Sequence, residues 1–321
     1  MQHGNARHDT RLDERRSLVK LWPVNKDIMG ANIKDCIIIG GGPAGLTAAL
    51  YLARFLRSVT VFDAQDGRAT LIPRTRNLAG FPEGIAGPDL LYRMRGHAEL
   101  YGAFITPATV RKVEKHGQVF YVTTGQQIAT ARNIIFATGV FNHRPPFSRE
   151  DHEQGLLHGL IRYCPVCDAY EVQNKRIAVL GNGAHGAKEA RFISRYSPFV
   201  VRIPSDGSAA IPEPGIRALS TPMKDMSLSE KEVIVTVQTG ETHRFDTLYV
   251  ALETTARSDM AGDLNLRLSQ DGHITVDTNQ RTNMDGAYAI GDVTEGLDQI
   301  AVAMGQGAIA ATAIHNSMTD P

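Results

Sequence analysis

The chain has 321 residues, of which 42% are hydrophobic and 21% are charged, so its length allows two domains with ordinary globular cores. Lys plus Arg and Asp plus Glu both total 34, and this zero formal charge argues against nucleic acid or an anionic membrane as a partner. No apolar run approaches the ~20 residues that a membrane span needs.

The chain begins with a polar, basic segment, residues 1–33, which lacks the continuous apolar stretch of a secretory signal. We predict a flexible N-terminal extension here. The three cysteines, Cys36, Cys164 and Cys167, are too few for a secreted disulfide framework. We therefore expect a cytoplasmic protein.

The first motif is a strand, a glycine turn and a helix. An apolar run meets Gly40-x-Gly42-x-x-Gly45, and a helix of small residues follows. In a dinucleotide site the first glycine allows the tight turn, the second lets the pyrophosphate approach, and the third lets helix and strand pack closely. A β-branched run, 59–62, then ends at Asp63, where an acid accepts hydrogen bonds from a ribose. This order predicts a βαβ nucleotide-binding unit.

The same order occurs a second time. A strand-like run, 177–180, meets Gly181-x-Gly183-x-x-Gly186, and a helical segment follows. The duplication predicts two nucleotide-type units in one chain, with the C-x-x-C between them. The second unit is a candidate pyridine-nucleotide site.

The rest of the chain predicts shorter elements. Residues 73–88 and 204–222 are rich in Gly and Pro and are predicted to be irregular. Helices are predicted over 90–101 and 299–316. Strands are predicted at 119–123, 134–137, 233–237, 248–251, 274–276 and 287–290.

Gly291-Asp292 follows the last predicted strand and precedes the last helix. An acid at a strand end can bind the hydroxyls of a sugar-alcohol chain. The helix that begins near Gln299 directs backbone N–H groups at whatever lies before it. For a flavin, that target is the N1/C2=O edge, where negative charge develops on reduction.

Cys164 and Cys167 form the C-x-x-C. Two thiols at this spacing near a helix start can close a disulfide with little backbone movement, and the helix dipole favours the thiolate. The competing interpretation is a zinc site, which needs four ligands, whereas Cys36 lies inside the first apolar run. We predict a redox pair, no metal site, and a buried core position for Cys36.

Five motifs follow one another along the chain: Gly40-Gly-Gly-Pro-Ala-Gly45, Ala137-Thr-Gly139, Cys164-Pro-Val-Cys167-Asp168, Val276-Asp-Thr-Asn-Gln-Arg-Thr-Asn283 and Asp285-Gly-Ala-Tyr-Ala-Ile-Gly-Asp292. Together, and in this order, they resemble the low-molecular-weight thioredoxin reductase family of FAD-dependent disulfide oxidoreductases. The resemblance covers the chain from the first strand to its end.

The resemblance implies an α/β fold with two Rossmann-like three-layer domains. It implies a discontinuous FAD-binding domain at 34–142 and 254–321, with a smaller pyridine-nucleotide-type domain, 143–253, inserted and carrying the C-x-x-C. Residues 137–139 and 251–255 would form the double connection. A homodimer is also implied, with thioredoxin or another dithiol or disulfide substrate as its partner.

The resemblance also implies roles for individual residues. The FAD-binding residues are Gly40, Gly42, Gly45, Asp63, Gly139 and Asp292, together with the backbone of Gln299 and Ile300. Cys167 is the flavin-proximal thiol, and Cys164 attacks the protein disulfide. Asp168 carries a proton to or from the leaving thiolate.

The second glycine motif departs from the family pattern. NADPH recognition needs arginines after the second strand, because a guanidinium pairs with the 2′-phosphate, and the family has a His-Arg-Arg cluster there. This chain has Val201-Arg-Ile-Pro-Ser-Asp-Gly207, with Arg202 inside the predicted strand. Bulky His185 occupies the turn, and the helix after the strand is expected to be lost. The family's Gly-x-x-Pro-Asn hinge is replaced by Glu253-Thr-Thr-Ala-Arg257.

The electron donor therefore stays open among NADPH, NADH, ferredoxin and another flavin. Two other functions also stay open. One is a small-molecule dithiol oxidase that uses oxygen, resembling the gliotoxin-type enzymes of the same superfamily. The other is a non-catalytic flavin-binding module with a relic second domain.

Overall fold

The computed structural model describes residues 33–125, 127–208 and 215–319. The predicted N-terminal extension lies outside the described residues except for Ile33. Part of the segment predicted to be irregular, residues 209–214, also lies outside them.

The first part of the chain forms strands β1–β7 and helices α1 and α2. In chain order they are β1 (Lys34–Ile39), α1 (Pro43–Arg54), β2 (Val59–Asp63), α2 (Gly87–Leu100), β3 (Phe104–Pro107), β4 (Val110–His116), β5 (Val119–Thr124), β6 (Ile128–Phe136) and β7 (Val140–Asn142).

The middle part forms α3 (Arg149–Leu157), β8 (Ile161–Arg162), α4 (Pro165–Asp168), β9 (Ile177–Leu180), α5 (Gly183–Ile193), β10 (Val200–Ile203), β11 (Arg217–Ala218), β12 (Met223–Leu228), β13 (Val233–Val237), β14 (Thr242–Phe245) and β15 (Thr247–Val250). The last part forms β16 (Thr254–Ala256), α6 (Asp259–Asp263), β17 (Ala287–Ala289) and α7 (Ile300–Ser317). Short 3₁₀ turns occur at Arg68–Leu71, Ala169–Val172 and Gly291–Val293.

The first sheet has the order β3-β2-β1-β6, and β6 then pairs with both β5 and β17. Strand β1 is parallel to β2 and to β6. Helix α1 provides the crossover that the parallel β1–β2 pair requires. Residues 36–39 of β1 are buried on both faces, as expected of a central parallel strand. The sheet therefore brings the carboxyl ends of β1, β2 and β6 to one edge.

Helices α1 and α7 pack closely on one face of this sheet. Small residues make this approach possible, since a Cβ on Gly307 of α7 would lie 2.5 Å from the carbonyl oxygen of Ala44 in α1. Pro43 occupies the first turn of α1, where its missing N–H has no intrahelical partner to lose. The apolar face of α1 supplies Ala48, Ala49 and Leu52 to the core, all fully buried.

The second sheet has the order β11-β10-β9-β15-β8, and all its strand pairs are parallel. A three-stranded antiparallel sheet, β12-β13-β14, packs Val233, Val235 and Phe245 against its core. All five strands of the second sheet fall between β6 and β17 in sequence. The expected mixed α/β fold with two Rossmann-like sheets is confirmed, whereas the predicted domain boundaries stay predictions.

Two chain segments that run between the sheets pair with each other. Strand β7 is antiparallel to β16, with Val140 opposite Ala256 and Asn142 opposite Thr254. The Thr138 hydroxyl donates to the Arg257 carbonyl at 2.7 Å and the Arg257 N–H donates to the Gly139 carbonyl at 2.9 Å. These contacts lie where the sequence predicted a double connection.

Two predicted elements are wrong. No strand covers 274–276, because Ile274 makes only isolated bridges to Leu268 and Thr294. The segment 204–222 is not irregular throughout, since Arg217–Ala218 pairs in parallel with β10. Both errors concern which segments pair with each other, which residue patterns do not report. None of the described helices is both long enough and apolar enough to span a bilayer.

Candidate active site: a disulfide in a shared cavity

A cavity of about 750 Å³ opens at the carboxyl ends of β1, β2 and β6 and extends to the C-x-x-C. Its wall includes Gly40, Asp63, Gly139, Cys164 and Cys167. The carboxyl edge of a parallel sheet is where such folds bind ligands, and the volume falls within the usual range of ligand sites. The cavity therefore joins the first glycine turn to the redox pair.

The glycine turn after β1 has the geometry that the motif predicts. Gly40 has a φ of +112°, and a Cβ there would lie 2.2 Å from the Ala137 carbonyl oxygen. A Cβ on Gly45 would lie 2.0 Å from the Gly40 carbonyl oxygen, whereas one on Gly42 would meet no atom within 4 Å. Gly40 and Gly45 are thus needed for packing, and Gly42 leaves open space in front of the α1 N-terminus.

Asp63 ends β2 beside this turn. Its carboxylate accepts hydrogen bonds from Arg95 Nη2 at 2.5 Å and from the Gln65 N–H at 3.0 Å. A Cβ at Gly41 would lie 2.4 Å from the carboxyl carbon of Asp63, so a glycine is required there as well. Arg95 lies on α2 and has no signal in the sequence motif.

Asp292 lies in the 3₁₀ turn after β17, on the same cavity wall. Arg68 Nη1 donates to Asp292 Oδ2 at 2.8 Å and to Asp298 Oδ2 at 2.7 Å. Burial raises the pKa of the Asp292 carboxyl, and the charge of Asp298 adds to this, while Arg68 opposes it. Sequence reasoning identified Asp292 but missed the arginine that holds it.

Cys164 and Cys167 are joined in a disulfide, with their Cα atoms 5.3 Å apart. Cys164 precedes α4, where Pro165 occupies the first helical position. The remaining cysteine, Cys36, is fully buried in β1, and burial raises the pKa of its thiol well above the usual value. Its predicted core role is confirmed. Within the described ranges, no three or more His, Cys, Asp or Glu side chains are grouped to hold a metal ion.

Asp168, the predicted proton carrier, has both carboxylate oxygens engaged. Arg162 Nη1 donates to Oδ2 at 2.7 Å, and the Tyr249 hydroxyl donates to Oδ1 at 2.7 Å. Burial and the Asp168 charge raise the Tyr249 pKa far above its usual value, so Tyr249 acts as a neutral donor. Arg162 and Tyr249 face each other across the β8–β15 pair, which sequence reasoning did not foresee.

Gln299 precedes α7, and its side chain reaches the disulfide. The Gln299 Nε2 lies 3.3 Å from the Cys164 Sγ and 3.3 Å from the Cys167 Sγ. Its Oε1 accepts a hydrogen bond from Asn77 Nδ2 at 2.8 Å. The sequence pointed to the Gln299 and Ile300 backbone, and the side-chain contact is additional. Both residues line the cavity.

The second glycine turn is packed like the first, although its backbone torsions differ: Gly40 has a positive φ and its equivalent Gly181 does not, and Gly42 has a φ of −77°. A Cβ on Gly181 would lie 2.6 Å from the Ala251 carbonyl oxygen, and one on Gly186 would lie 2.6 Å from the Gly181 carbonyl oxygen. Gly183 has a φ of +52° and faces open space. The predicted turn therefore exists.

Its surroundings differ from those of the first turn. In β9 and β10, Leu180 pairs with Ile203 as Ile39 pairs with Phe62 in β1 and β2. Pro204 therefore stands where the first unit has Asp63. Asn182 stands where the first unit has Gly41, and its Oδ1 accepts a hydrogen bond from the Ser205 N–H at 2.8 Å.

Arg202 lies in β10, opposite Val179 and Ala218, and only 4% of it is exposed. It is therefore inside the strand, as the sequence predicted. His185 lies in the first turn of α5, 3.5 Å from the Glu189 carboxylate. Burial raises the pKa of Glu189 to about 7.

Residues 34–203 and 210–307 match the family model described as pyridine nucleotide-disulphide oxidoreductase. The chain belongs to this family. It is 31% identical over 306 residues to the thioredoxin reductase of Streptomyces coelicolor, and the aligned residues cover 88% of this chain and 92% of that protein. It is 32% identical over 305 residues to the thioredoxin reductase of Streptomyces clavuligerus, with the same coverage of both chains.

Solved structures of similar fold agree with this membership. The crystal structure of HlmI has a TM-score of 0.82 at 23% identity and covers 91% of this chain and 94% of its own, which shows the fold. The thioredoxin reductase of Streptococcus pyogenes has a TM-score of 0.79 at 27% identity, covering 89% of this chain and 98% of its own. The expectation of a thioredoxin-reductase-like flavoprotein oxidoreductase with a redox disulfide is confirmed.

The first unit of this oxidoreductase fits a dinucleotide. Gly42 leaves an open approach to the α1 N-terminus, and Asp63 presents a carboxylate beside it. The same cavity continues to Asp292 and the disulfide. The donors and acceptors that FAD requires are therefore in one place.

Proposed function

We propose that this oxidoreductase binds FAD and moves an electron pair between FAD, the Cys164–Cys167 disulfide and a dithiol or disulfide partner, with thioredoxin as the candidate. The observation that carries the proposal is the single cavity that contains the first glycine turn, Asp63 and both sulfurs. Electron transfer needs the cofactor and the disulfide side by side, and this cavity offers that arrangement.

The residues that would hold FAD are those of the first unit. Gly40, Gly42 and Gly45 would shape the pyrophosphate site, and Asp63 would accept hydrogen bonds from the ribose. Asp292 would bind the sugar-alcohol chain. Gly139, with a φ of +69° and open space beside it, and the backbone of Gln299 and Ile300 would border the flavin ring. Bound FAD supplies a two-electron carrier that can exchange with a dithiol.

The protein's own thiols exchange with the partner. In the reducing direction, the Cys164 thiolate attacks one sulfur of the partner disulfide, forms a mixed disulfide and displaces the other partner sulfur as a thiolate. Cys167 then attacks the Cys164 sulfur, which restores the Cys164–Cys167 bond and releases the second partner thiolate. The partner gains two electrons and two protons, and the reverse sequence oxidises a dithiol.

Asp168 would carry one of these protons. Its two oxygens accept from Arg162 and Tyr249, and each oxygen keeps a second lone pair that can take up a proton. The two contacts hold the carboxylate in place next to Cys167 in the chain, where a proton acceptor is needed.

We also propose that NADPH is not an efficient electron donor. Pro204 takes the place of a ribose-binding acid, the Asn182 side chain turns towards Ser205, and Arg202 is buried in its strand. These features offer neither a carboxylate to ribose nor an exposed guanidinium to a 2′-phosphate. They leave ferredoxin or another flavin as donors. They also favour a second candidate function, oxidation of a small dithiol by oxygen with release of hydrogen peroxide.

The test is an anaerobic titration of the flavin-loaded protein with NADPH, NADH and dithiothreitol in turn, followed by flavin absorbance. We expect dithiothreitol to bleach the flavin and both nucleotides to fail. Rapid bleaching by NADPH would contradict the proposal on the donor. Cys164→Ser and Cys167→Ser serve as controls, because bleaching that persists without either thiol would contradict the route through the disulfide. Peroxide release on adding dithiol in air would select the oxidase.

From the family resemblance we further propose a homodimer that acts in the cytoplasm. Sedimentation equilibrium of the flavin-loaded protein tests the oligomeric state. A monomer at micromolar concentration would contradict this part of the proposal.

A further inference from the structure

We propose that the Gln299 side chain is a further catalytic group: its amide N–H groups donate hydrogen bonds to the redox sulfurs and stabilise the thiolate that forms when the disulfide opens. The inference rests on the proposed dithiol chemistry and adds the hydrogen-bond donor that tunes it. The family resemblance assigns only the backbone at this position to the flavin.

The Gln299 side chain contacts both redox sulfurs. The Gln299 Nε2 lies 3.3 Å from each Sγ of Cys164 and Cys167, although Gln299 is more than 130 residues away in sequence. A carboxamide nitrogen carries two N–H groups, so it can donate to both sulfurs at once. In the described part of the chain no other side chain donates to either sulfur, and the Gln299 Oε1 lies farther away than the nitrogen, 3.8 Å from the Cys167 Sγ.

The orientation of the carboxamide decides which of its atoms faces the sulfurs. Either end of a glutamine could face the sulfurs, and the oxygen would repel a thiolate. Asn77 Nδ2 donates to Gln299 Oε1 at 2.8 Å, and the Thr75 hydroxyl donates to Asn77 Oδ1 at 2.9 Å. Thr75 is buried and makes two backbone hydrogen bonds with Ile85, so this relay begins at a fixed point. Asn77 is therefore a positioning residue that turns the Gln299 nitrogen towards the sulfurs.

The Gln299 donor acts differently on the two redox states of the pair. Reduction breaks the Cys164–Cys167 bond, adds two electrons and one proton, and leaves one thiol and one thiolate; the electrons would come from the reduced form of FAD, which becomes FAD, or from a partner dithiol, which becomes a disulfide. A disulfide sulfur is a weak acceptor, whereas a hydrogen bond to a charged acceptor is about twice as strong as a neutral one. The Gln299 donor therefore favours the reduced pair and lowers the pH at which the thiolate forms.

The decisive variant is Gln299→Glu, which keeps an oxygen to accept from Asn77 and replaces the N–H donors by a charged oxygen. Gln299→Leu removes the polar group altogether. Gln238→Glu makes the same chemical change at an exposed turn after β13 and is the matched control. Flavin content is measured for each purified protein.

Two quantities are measured on the flavin-loaded proteins. The first is the equilibrium constant for reducing Cys164–Cys167 in dithiothreitol redox buffers, read by alkylation and mass spectrometry. We expect it to fall about tenfold in Gln299→Leu, equivalent to about 30 mV, and further in Gln299→Glu. The second is the pH midpoint for alkylation of the reduced pair by iodoacetamide, which we expect to rise by about one unit. Gln238→Glu should match the wild type in both.

Wild-type values in both Gln299 variants would overturn the inference. Should these variants fail to fold, Asn77→Ala provides the second test, because loss of orientation should shift both quantities in the same direction by less. Wild-type values of both quantities in Asn77→Ala would then overturn the inference. A wild-type protein that takes up no flavin contradicts the proposed function instead, and its alkylation midpoint still reports on Gln299.

Discussion

Gly42 and Gly183 occupy equivalent places in two βαβ units, and each faces open space at the end of a parallel strand. Around Gly42 the neighbouring residues suit a dinucleotide, with Gly41 leaving room for the Asp63 carboxylate. Around Gly183 the equivalents of Gly41 and Asp63 are Asn182 and Pro204. The Asn182 side chain accepts a hydrogen bond from the Ser205 N–H, and the Pro204 side chain has no hydrogen-bond acceptor. The two turns share closely packed first and third glycines, and they differ in backbone torsion and in what they can recognise.

The difference teaches that a glycine motif has two separable functions. Gly181 and Gly186 are required by packing alone, since a Cβ at either would collide with backbone atoms. Such glycines persist whether or not a nucleotide binds. Recognition depends on the residues beside the turn, and these residues differ between the two units.

The second unit instead holds Asp168, the proposed proton carrier. Its strands β8 and β15 supply Arg162 and Tyr249, which hold Asp168 beside Cys167. Helix α5 also differs from α1 at one position: Glu189 of α5 is equivalent to Ala48 of α1, which is fully buried.

The largest expected effect comes from filling the first turn. Gly42 has a φ of −77°, so Gly42→Val is compatible with the backbone, but its side chain would occupy the space in front of the α1 N-terminus. We expect a folded protein without detectable flavin by absorbance and by mass spectrometry of the released cofactor. Gly183→Ala at the second turn is the counterpart and should keep full flavin. Normal flavin content in Gly42→Val would break the comparison.

The buried acid of α5 makes stability depend on pH. Because burial raises the Glu189 pKa from 4.5 to about 7, the folded state binds its proton more tightly than the unfolded state. This stabilisation is complete below about pH 4.5 and is lost as pH rises to about 7, at a cost of about 3 kcal/mol.

Glu189→Gln should remove this dependence. In urea unfolding we expect the variant to equal the wild type near pH 5 and to be more stable at pH 8. His185, whose Nε2 lies 3.5 Å from the Glu189 carboxylate, is kept in both proteins. Parallel stability curves for the two proteins would contradict a buried, neutral Glu189.

Restoring the first unit's residues in the second should create nucleotide recognition. Asn182→Gly with Pro204→Asp reproduces the Gly41 and Asp63 pair, and the new carboxylate can accept hydrogen bonds from a ribose. We expect flavin bleaching by NADH to accelerate about tenfold, because a hydrogen bond to a charged group contributes about 1.5–3 kcal/mol. Pro204→Asp alone is the control. An unchanged bleaching rate in the double variant would show that nucleotide recognition needs more than these two positions.

The smallest expected effect concerns the hydroxyl that contacts Asp168. Tyr249→Phe keeps the buried ring and removes one hydrogen bond, which should lower the free energy of unfolding by about 1 kcal/mol. The pH profile of dithiol exchange should shift, since the Asp168 carboxylate loses one of the two hydrogen bonds that hold it. Thr247→Val removes a hydroxyl of the same strand that contacts only backbone carbonyls, and should leave that profile unchanged. An unshifted pH profile in Tyr249→Phe would contradict the proposal that Asp168 carries the proton.

The sequence by itself determined the glycine turns, the parallel strands around them and the redox pair. These features depend on neighbours within a few residues: Gly40 and Gly45 meet through one turn of chain, and Cys164 and Cys167 are three positions apart. It also located Asp63, because the spacing from the glycine turn to the end of β2 is local. Local patterns were misleading at Ile274, whose bridges depend on other loops.

Only the tertiary structure decided which side chains complete the site. Asn77 meets Gln299 across 222 residues and Arg68 meets Asp292 across 224, because β17 and α7 return to the sheet that β1 began. It likewise showed that the Asn182 side chain contacts Ser205, the residue after Pro204, at the second turn. Such contacts follow from strand order and register, and the motifs, which implied that residues 254–321 join the first domain, did not report which side chains meet there.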